Sequence, residues 1–541
     1  MSLVDLLTRR VLGVPGRPGR YRVRKSIPVP TRDGFHLLTD HYAPESAGTS
    51  GTILLRGPYG RAFPTSAVDG GMFAGAGYHV VIQSVRGTFG STGVFNPLVQ
   101  EADDAQDTVT WLRSQYWFDG RLATIGGSYL GFTQWALLAD PPAELRAAVV
   151  VVGPHDFGRV LFGAGVFTLS LAFAWSEAMT SRPSLAGALS LFLGGADRRT
   201  RPGLYGLPLA EAAVPILAGK APWYLDWLSH EDPADPYWGA YRHERALLES
   251  SVPTLLVGGW QDIFLDQTME QYRALHGRGA KVALTVGPWT HLDTVGRGSG
   301  LIIRESLQWL DEHLAGHPQT ARPRPVRVFV TGANEWHELE EWPPTTVERS
   351  YHLDQPGALT AEPGVGASTF TFDPADPTPV IGGRLFHPGY AGARDNRSFE
   401  RRQDVITFTG DPVERDLDIV GAPMVELDVI VDNPQADVFV RLCDVDSRGA
   451  SMNFADAIRR FDPDAPAGQV QHVVLTLDPC AHRLARGHRL RLLVSGGAHP
   501  RYARNLGAGE PLATGTRMTP SKHTIQHGKS RVVLPIGRSL D

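Results

Sequence analysis

The stretch Leu122-Ala123-Thr124-Ile125-Gly126-Gly127-Ser128-Tyr129-Leu130-Gly131 decides how the rest of the chain is read. Residues 122–126 form an apolar run with β-branched members, which suits a buried strand. Two glycines and a serine end that run, and a helix pattern follows through Trp135, Leu137 and Leu138. Strand, glycine turn, serine and helix in that order make the layout of a nucleophile elbow. Glycine allows the close turn that larger side chains would block. The N–H groups at the start of the helix point toward any oxyanion forming beside the serine. The match to G-x-S-x-G is shifted, because Leu130 fills the fifth position and the glycine comes at Gly131. Ser128 also fits a plain helix N-cap; the flanking strand and helix give the elbow its weight.

Working outward, residues 52–56, 78–84 and 147–152 are further short apolar runs bounded by Gly or Pro. Between them Ala102, Ala105, Val109 and Leu112 recur at helical spacing. Fully apolar strands alternating with helices indicate a parallel sheet covered on both faces. The rhythm stops after Pro154. Residues 167–179 read as helix, and the segments after them are expected to be broken by Pro202, Pro208, Pro215, Pro222, Pro233 and Pro236. Strand-like runs return at 252–257 and 281–286, with a helix around 267–275 between them. A later helix sets Ile303, Leu307, Leu310 and Leu314 on one face. Past about residue 345 the period becomes two: Val425, Leu427, Val429 and Val431 alternate with polar residues, and 438–442, 473–477, 490–494 and 532–536 read as further strands. Many short strands of this kind indicate a β-sandwich or jelly roll.

In an elbow-bearing sheet the acid and the base follow the serine in chain order, on loops after later strands. Gly258-Gly259-Trp260-Gln261-Asp262 follows one returning strand, and Gly287-Pro288-Trp289-Thr290-His291 follows the next. Both lie where open α/β sheets gather their ligand sites. Histidine exchanges a proton near neutral pH, and aspartate orients it and stabilises its cation. The chain has 19 histidines, and Asp266 and Asp293 stand close by. Chain order and strand ends together single out Asp262 and His291. Strand 52–56 runs into Gly57-Pro58-Tyr59-Gly60, a loop that faces the nucleophile in such sheets. There the Tyr59 phenol would donate to an oxyanion, beside the Tyr129 backbone N–H. Taken by itself, Tyr59 reads first as an ordinary turn aromatic.

Composition narrows the classes. At 541 residues the chain is long enough for three to four domains. Its 52 basic and 57 acidic residues give a net charge of −5, which argues against a basic nucleic-acid binder or a polybasic membrane-surface protein. No apolar run reaches transmembrane length, and Asp5, Arg9 and Arg10 interrupt the stretch where an export signal needs its apolar core. Cys443 and Cys480 make neither a disulfide framework nor a CxxC motif, so they read as buried thiols and the cytoplasm is the expected compartment. No G-x-G-x-x-G opens a helix after the early strands, and no H-E-x-x-H occurs. Neither a cofactor nor a metal is expected.

Taken together, these motifs resemble the bacterial cocaine esterase / X-Pro dipeptidyl-peptidase (CocE/NonD) family of serine hydrolases. Its elbow reads G-x-S-Y-x-G, met here by Gly126, Ser128, Tyr129 and Gly131. The acid loop, the histidine loop and Arg56-Gly57-Pro58-Tyr59 are similar to the family's own. So are Val81-Ile82-Gln83-Ser84-Val85-Arg86-Gly87, Asp107-Thr108-Val109-Thr110-Trp111-Leu112, Gly487-His488-Arg489-Leu490-Arg491-Leu492 and Pro500-Arg501-Tyr502-Ala503-Arg504-Asn505. The resemblance implies an α/β-hydrolase domain over 1–156 and 250–345, a helical cap inserted at 157–249 and a jelly-roll domain over 346–541.

It also implies a Ser128, Asp262, His291 triad cleaving a small-molecule ester through an acyl-enzyme, with Tyr59 and Tyr129 forming the oxyanion hole. Trp175, Trp260 and Phe264 are candidates to line the substrate pocket. Peptidase or amidase action, including X-Pro dipeptide release, is the alternative within the family. A non-catalytic or carbohydrate-binding protein on the same fold is the alternative outside it. The branch acting on α-amino esters carries acidic residues two and three positions after its aspartate. Phe264 and Leu265 stand there instead, leaving Asp266 and Asp156 as the nearby carboxylates, so neutral hydrophobic acyl groups are expected. The sequence leaves monomer and homodimer both open.

Overall fold

The computed structural model describes residues 3–14, 19–45, 50–62, 64–180, 197–318, 322–387 and 389–537. Its first sheet contains β1 (Tyr21–Pro30), β2 (His36–Pro44), β3 (Thr52–Gly57), β4 (His79–Ser84), β5 (Leu122–Gly127), β6 (Leu145–Val151), β7 (Thr254–Gln261), β8 (Val282–Thr290), β9 (Val326–Val330) and β10 (Glu335–Leu339). The spatial order is β1-β2-β4-β3-β5-β6-β7-β8-β9-β10. From β4 across to β9 every pairing is parallel. β1, β2 and β10 add antiparallel edges.

The central strands are apolar throughout because both faces are covered. Leu54, Ala148, Val150 and Leu256 face the helices Glu101–Arg113 and Leu265–Gly277. Ile53, Ala123, Ile125, Val149 and Val257 face the helix Ser299–His313 on the other side. The β1–β2 hairpin was not apparent from the sequence. β1 lies at the sheet edge with most of its side chains exposed, so it carries no apolar periodicity.

The connection from β6 to β7 forms a cap of short helices: Phe157–Phe162, Leu169–Thr180, Asp197–Tyr205, Leu209–Leu217, Pro222–Ser229 and Glu244–Glu249. Residues 181–196 of the expected cap lie outside the described residues. Phe162, Phe167, Phe173, Tyr224, Trp227 and Trp238 make its buried core. Two of the expected proline breaks are not breaks. Pro202 and Pro215 sit inside the helices Asp197–Tyr205 and Leu209–Leu217. Each removes one backbone hydrogen bond, and packing into the aromatic core, which outweighs propensity in short helices, carries the chain through.

From Thr346 onward the chain is all-β. Val425, Leu427, Val429 and Val431 point inward from the strand Met424–Val431, and their polar neighbours are only partly buried. The last strand, Ser521–Gly537, pairs with four others: Thr346–Asp354, Ala367–Phe372, Leu417–Gly421 and Met424–Val431. It thereby organises one core containing Phe408, Leu427, Leu442, Leu492 and Leu534. Cys443 and Cys480 are buried free thiols, and burial pushes Cys443 up to about 12.

Backbone hydrogen bonds join the three parts. Thr331 N–H donates to Ala481 O at 2.9 Å, and Arg483 N–H to Thr331 O at 2.8 Å, linking β9 to the all-β domain. Ser170 N–H donates to Pro500 O at 3.0 Å, and Ala503 N–H to Phe167 O at 2.9 Å, linking the cap to it. The Pro500–Asn505 motif thus acts as a brace. Among the described residues no helix is long and apolar enough to cross a membrane. Among the same residues, no group of three or more His, Cys, Asp or Glu side chains is placed to hold a metal ion.

Candidate active site

Ser128 stands between β5 and the helix Tyr129–Leu138 with φ 59° and ψ −121°. This is a strained conformation for a side chain-bearing residue, and the surroundings hold it in place. Ser128 N–H donates to Val151 O at 3.0 Å, and Trp135 Nε1 donates to Gly153 O at 3.1 Å. A Cβ on Gly126 would lie 2.4 Å from Leu130 Cβ, and one on Gly131 would lie 2.5 Å from Gly153 Cα. Both glycines are therefore steric requirements of the turn. The serine side chain makes no capping hydrogen bond, so its hydroxyl is not spent as an N-cap.

Asp262 follows β7 and His291 follows β8. The two loops press together: a Cβ on Gly259 would come within 2.3 Å of Trp289 O. His291 Nδ1 lies 2.6 Å from Asp262 Oδ1, and His291 Nε2 lies 3.0 Å from Ser128 Oγ. The other Asp262 oxygen accepts from Phe264 N–H at 2.8 Å. Asp262 is fully buried and His291 nearly so. An ionised carboxylate only accepts, so Nδ1 carries the ring proton and Nε2 faces the serine as an acceptor. Phe264 and Phe386 flank the imidazole edge-on, at centroid distances of 5.2 and 5.6 Å.

Tyr59 is 42% exposed, but it lines the cavity beside Ser128 and its hydroxyl meets Trp175. Burial there raises the phenol pKa, and hydrogen bonds with Trp175 and Ser128 oppose the rise. Trp175 Nε1 donates to Tyr59 Oη at 3.2 Å. The backbone N–H of Tyr129 is in the first helical turn, where its own helix offers no partner. The Tyr129 hydroxyl points away from the serine, donating to Glu101 Oε1 at 2.7 Å and accepting from Leu98 N–H at 2.8 Å. Glu101 in turn pairs with Arg56 at 3.1 Å, both buried. Burial raises the Glu101 carboxyl and Arg56 opposes it. This pair ties the end of β3, where the Tyr59 loop begins, to the helix after Ser128.

Beside Ser128 lies a cavity of about 30 Å³ whose lining includes Phe132, Phe157, Leu171, Trp175, Phe264 and Phe386. It abuts a cleft of about 310 Å³ among the three domains, which shares Leu171, Ile263, Phe264 and Phe386 with it. Trp175 and Phe264 line the cavity. Trp260 does not. Its indole donates to Phe329 O at 2.7 Å and packs on Trp342 in the core beneath the loop. Trp260 still belongs to β7, with its side chain on the face covered by the helix Leu265–Gly277, whereas the strand is irregular between Gly259 and Gln261 and has ended before Asp262.

Neither remaining carboxylate lines the cavity. Asp156 caps the helix Phe157–Phe162 and pairs with Arg242 at 3.0 Å; Asp266 pairs with Arg384 at 2.7 Å. Sequence reasoning missed Phe386 and Glu101. Phe386 arrives from the all-β domain, where the Gly382-Gly383 pair, both at positive φ, marks only a sharp turn. Glu101 opens a helix whose apolar periodicity drew the reading to other positions.

Comparison with known proteins agrees with this architecture. Residues 33–293 match the X-Pro dipeptidyl-peptidase (S15 family) model, and residues 319–533 match the X-Pro dipeptidyl-peptidase C-terminal non-catalytic domain. The chain is 30% identical to the cocaine esterase of Rhodococcus sp. (strain MB1 Bresler), over 96% of this chain and 99% of that one. In fold it is similar to an α-amino acid ester hydrolase (TM-score 0.82, 24% identity, 96% of this chain and 97% of that chain). It is equally similar to an aminopeptidase from a marine sediment Thaumarchaeota archaeon (TM-score 0.82, 22% identity, the same coverage). With that identity along the length of both chains, and with both parts of the family present in order, the chain belongs to the cocaine esterase / X-Pro dipeptidyl-peptidase (S15) family of serine hydrolases.

Proposed function

We propose that this protein hydrolyses carboxylic esters of neutral, hydrophobic acyl groups through an acyl-enzyme on Ser128. The observation that carries the reading is the hydrogen-bonded run from Asp262 through His291 to Ser128 at the carboxyl ends of parallel strands. In the first step Ser128 Oγ attacks the acyl carbonyl and His291 Nε2 takes its proton. Asp262 holds the Nδ1 proton and stabilises the imidazolium. The carbonyl oxygen becomes an oxyanion between the Tyr59 hydroxyl and the Tyr129 N–H. His291 then protonates the departing alcohol. Water attacks the acyl group by the same proton route in reverse, releasing the acid and restoring Ser128.

The acyl preference is supported by the cavity lining. Aromatic and aliphatic side chains surround the serine, and Asp156 and Asp266 are engaged elsewhere. Peptidase action remains the second reading, favoured by the family's X-Pro dipeptidyl-peptidase members. The test of the mechanism is turnover of p-nitrophenyl esters of graded acyl length by wild type and Ser128→Ala. Loss of the nucleophile is expected to cost several orders of magnitude, on the order of 10⁶ in kcat in the best-studied serine hydrolase. A phosphonate serine reagent should label Ser128 alone. Retained turnover in pure Ser128→Ala protein, or labelling elsewhere, would remove the mechanism.

A further inference from the structure

We propose that Trp175 is a positioning residue for the oxyanion hole. Its indole N–H occupies the acceptor side of the Tyr59 oxygen and so commits the phenol's own proton to the reacting oxygen. This rests on the esterase reading above and adds a role for the cap within it.

The argument is an accounting of donors. An indole nitrogen only donates, so the 3.2 Å contact between Trp175 Nε1 and Tyr59 Oη has one possible direction. Tyr59 has a single proton left to place. Ser128 directs its own proton to His291 Nε2, which is the acceptor because Nδ1 gives its proton to Asp262. Tyr59 and Ser128 line the same cavity, which is the space left for the Tyr59 proton to point into. Ser128, His291 and Asp262 form one hydrogen-bonded run, and Trp175 and Tyr59 form a second that ends at the same cavity. When Oγ bonds to the carbonyl carbon, negative charge builds on the adjacent carbonyl oxygen, and the uncommitted Tyr59 proton is available to meet it. A phenol whose oxygen already accepts a hydrogen bond is also the stronger donor.

The indole is fixed for this task. Its ring lies parallel to that of Tyr129 at 6.1 Å and packs on Trp227 at 6.0 Å and Trp223 at 6.2 Å. Trp223 Nε1 donates to Ser176 Oγ at 3.0 Å, locking the next residue of the same helix. The cap therefore reaches the transition state through a hydrogen bond, besides shaping the acyl pocket.

A double-mutant cycle of Tyr59→Phe and Trp175→Phe tests this with acetyl and benzoyl p-nitrophenyl esters. Trp175→Phe alone is expected to lower kcat roughly tenfold, the worth of one hydrogen bond, with KM changing far less. The loss should be similar for both acyl groups. In the Tyr59→Phe background the same change should have almost no effect on kcat. Replacing Trp175 with 3-benzothienylalanine, which keeps the two-ring shape and lacks the N–H, should reproduce the loss with an unchanged Tm. Multiplicative effects in the cycle, a loss confined to KM that grows with acyl size, or full activity of the sulfur analogue would overturn the proposal. Ser128→Ala run beside them separates the cases. Turnover there removes the esterase mechanism itself, whereas an inactive Ser128→Ala with multiplicative effects removes only the role of Trp175.

Discussion

Phe264 and Leu265, two and three residues after Asp262, fix what the acyl pocket can hold. Phe264 packs against the His291 ring and lines the cavity, and Leu265 is buried in the core below. An α-ammonium on the acyl group would lose water in the cavity beside Ser128 and meet no carboxylate in its lining; Asp156 is paired with Arg242, and Asp266, on the abutting cleft, is paired with Arg384. Desolvating an unpaired charge costs several kcal/mol even after relaxation. The expected outcome is a kcat/KM for a neutral acyl ester at least about tenfold above that of its α-amino counterpart, about 1.4 kcal/mol. X-Pro anilides should rank below both. Matched pairs such as phenylacetyl and phenylglycyl esters read this directly. Preference for the free amine would reinstate the peptidase reading.

The turn around Ser128 shows how an element is set by residues that do no chemistry. Gly131 and Gly153 face each other with no room for a side chain on either. A methyl group at Gly131 would meet backbone, which cannot swing aside as a side chain can, so Gly131→Ala must push the helix Tyr129–Leu138 away from the strand behind it. The expected cost is about 1–3 kcal/mol of stability, as for other overpacked interiors. A larger fractional loss of kcat should accompany it, because Ser128 and the Tyr129 N–H move with the helix. Denaturant titration and kinetics on the same sample measure both, and a fully stable, fully active Gly131→Ala would show that the packing gives way without cost.

This element was legible in sequence because its constraints are local. The strand, the glycines and the helix occupy ten consecutive residues, and the acid and histidine loops repeat the strand-end pattern. The β1–β2 hairpin and Phe386 were not legible. The first has an exposed face that carries no period. The second reaches the site only because the all-β domain folds against the hydrolase domain, a contact between residues far apart in sequence. Trp260 was misplaced for a local reason: β7 is irregular between Gly259 and Gln261 and ends there, which the alternation of a regular strand does not reveal.

At the scale of the molecule, the loop bearing Phe386 is anchored in a charge cluster between the domains that is buried except at Asp266. Arg384 pairs with Asp266 of the hydrolase domain at 2.7 Å and with Asp478 of the all-β domain at 2.9 Å. Arg441 and Arg501 hold Asp456 at 2.8 and 2.6 Å. The two central carboxyls respond to pH with opposite sign. Burial would raise Asp456, but Arg501 and Arg441 overcome it and hold it low. Its contribution is therefore present above the unfolded aspartate value of about 4 and is lost as pH falls below it. Burial raises Asp478 to about 7, against the pull of Arg384. The folded chain then keeps a proton that the unfolded chain releases near 4, so stability from this group is complete below that pH and declines as pH rises through 7. Asp478→Asn holds the neutral state at every pH and retains an acceptor for the Asp456 N–H, which reaches Asp478 Oδ2 at 3.3 Å. The wild type should lose Tm between about pH 4 and 7, and Asp478→Asn should lose distinctly less over the same range. The acid-side decline governed by Asp456 should remain in both proteins. Calorimetric scans at matched ionic strength measure the two slopes. Parallel curves for wild type and variant between about pH 4 and 7 would show that Asp478 is already ionised in the folded protein and that its pairing with Arg384 outweighs burial.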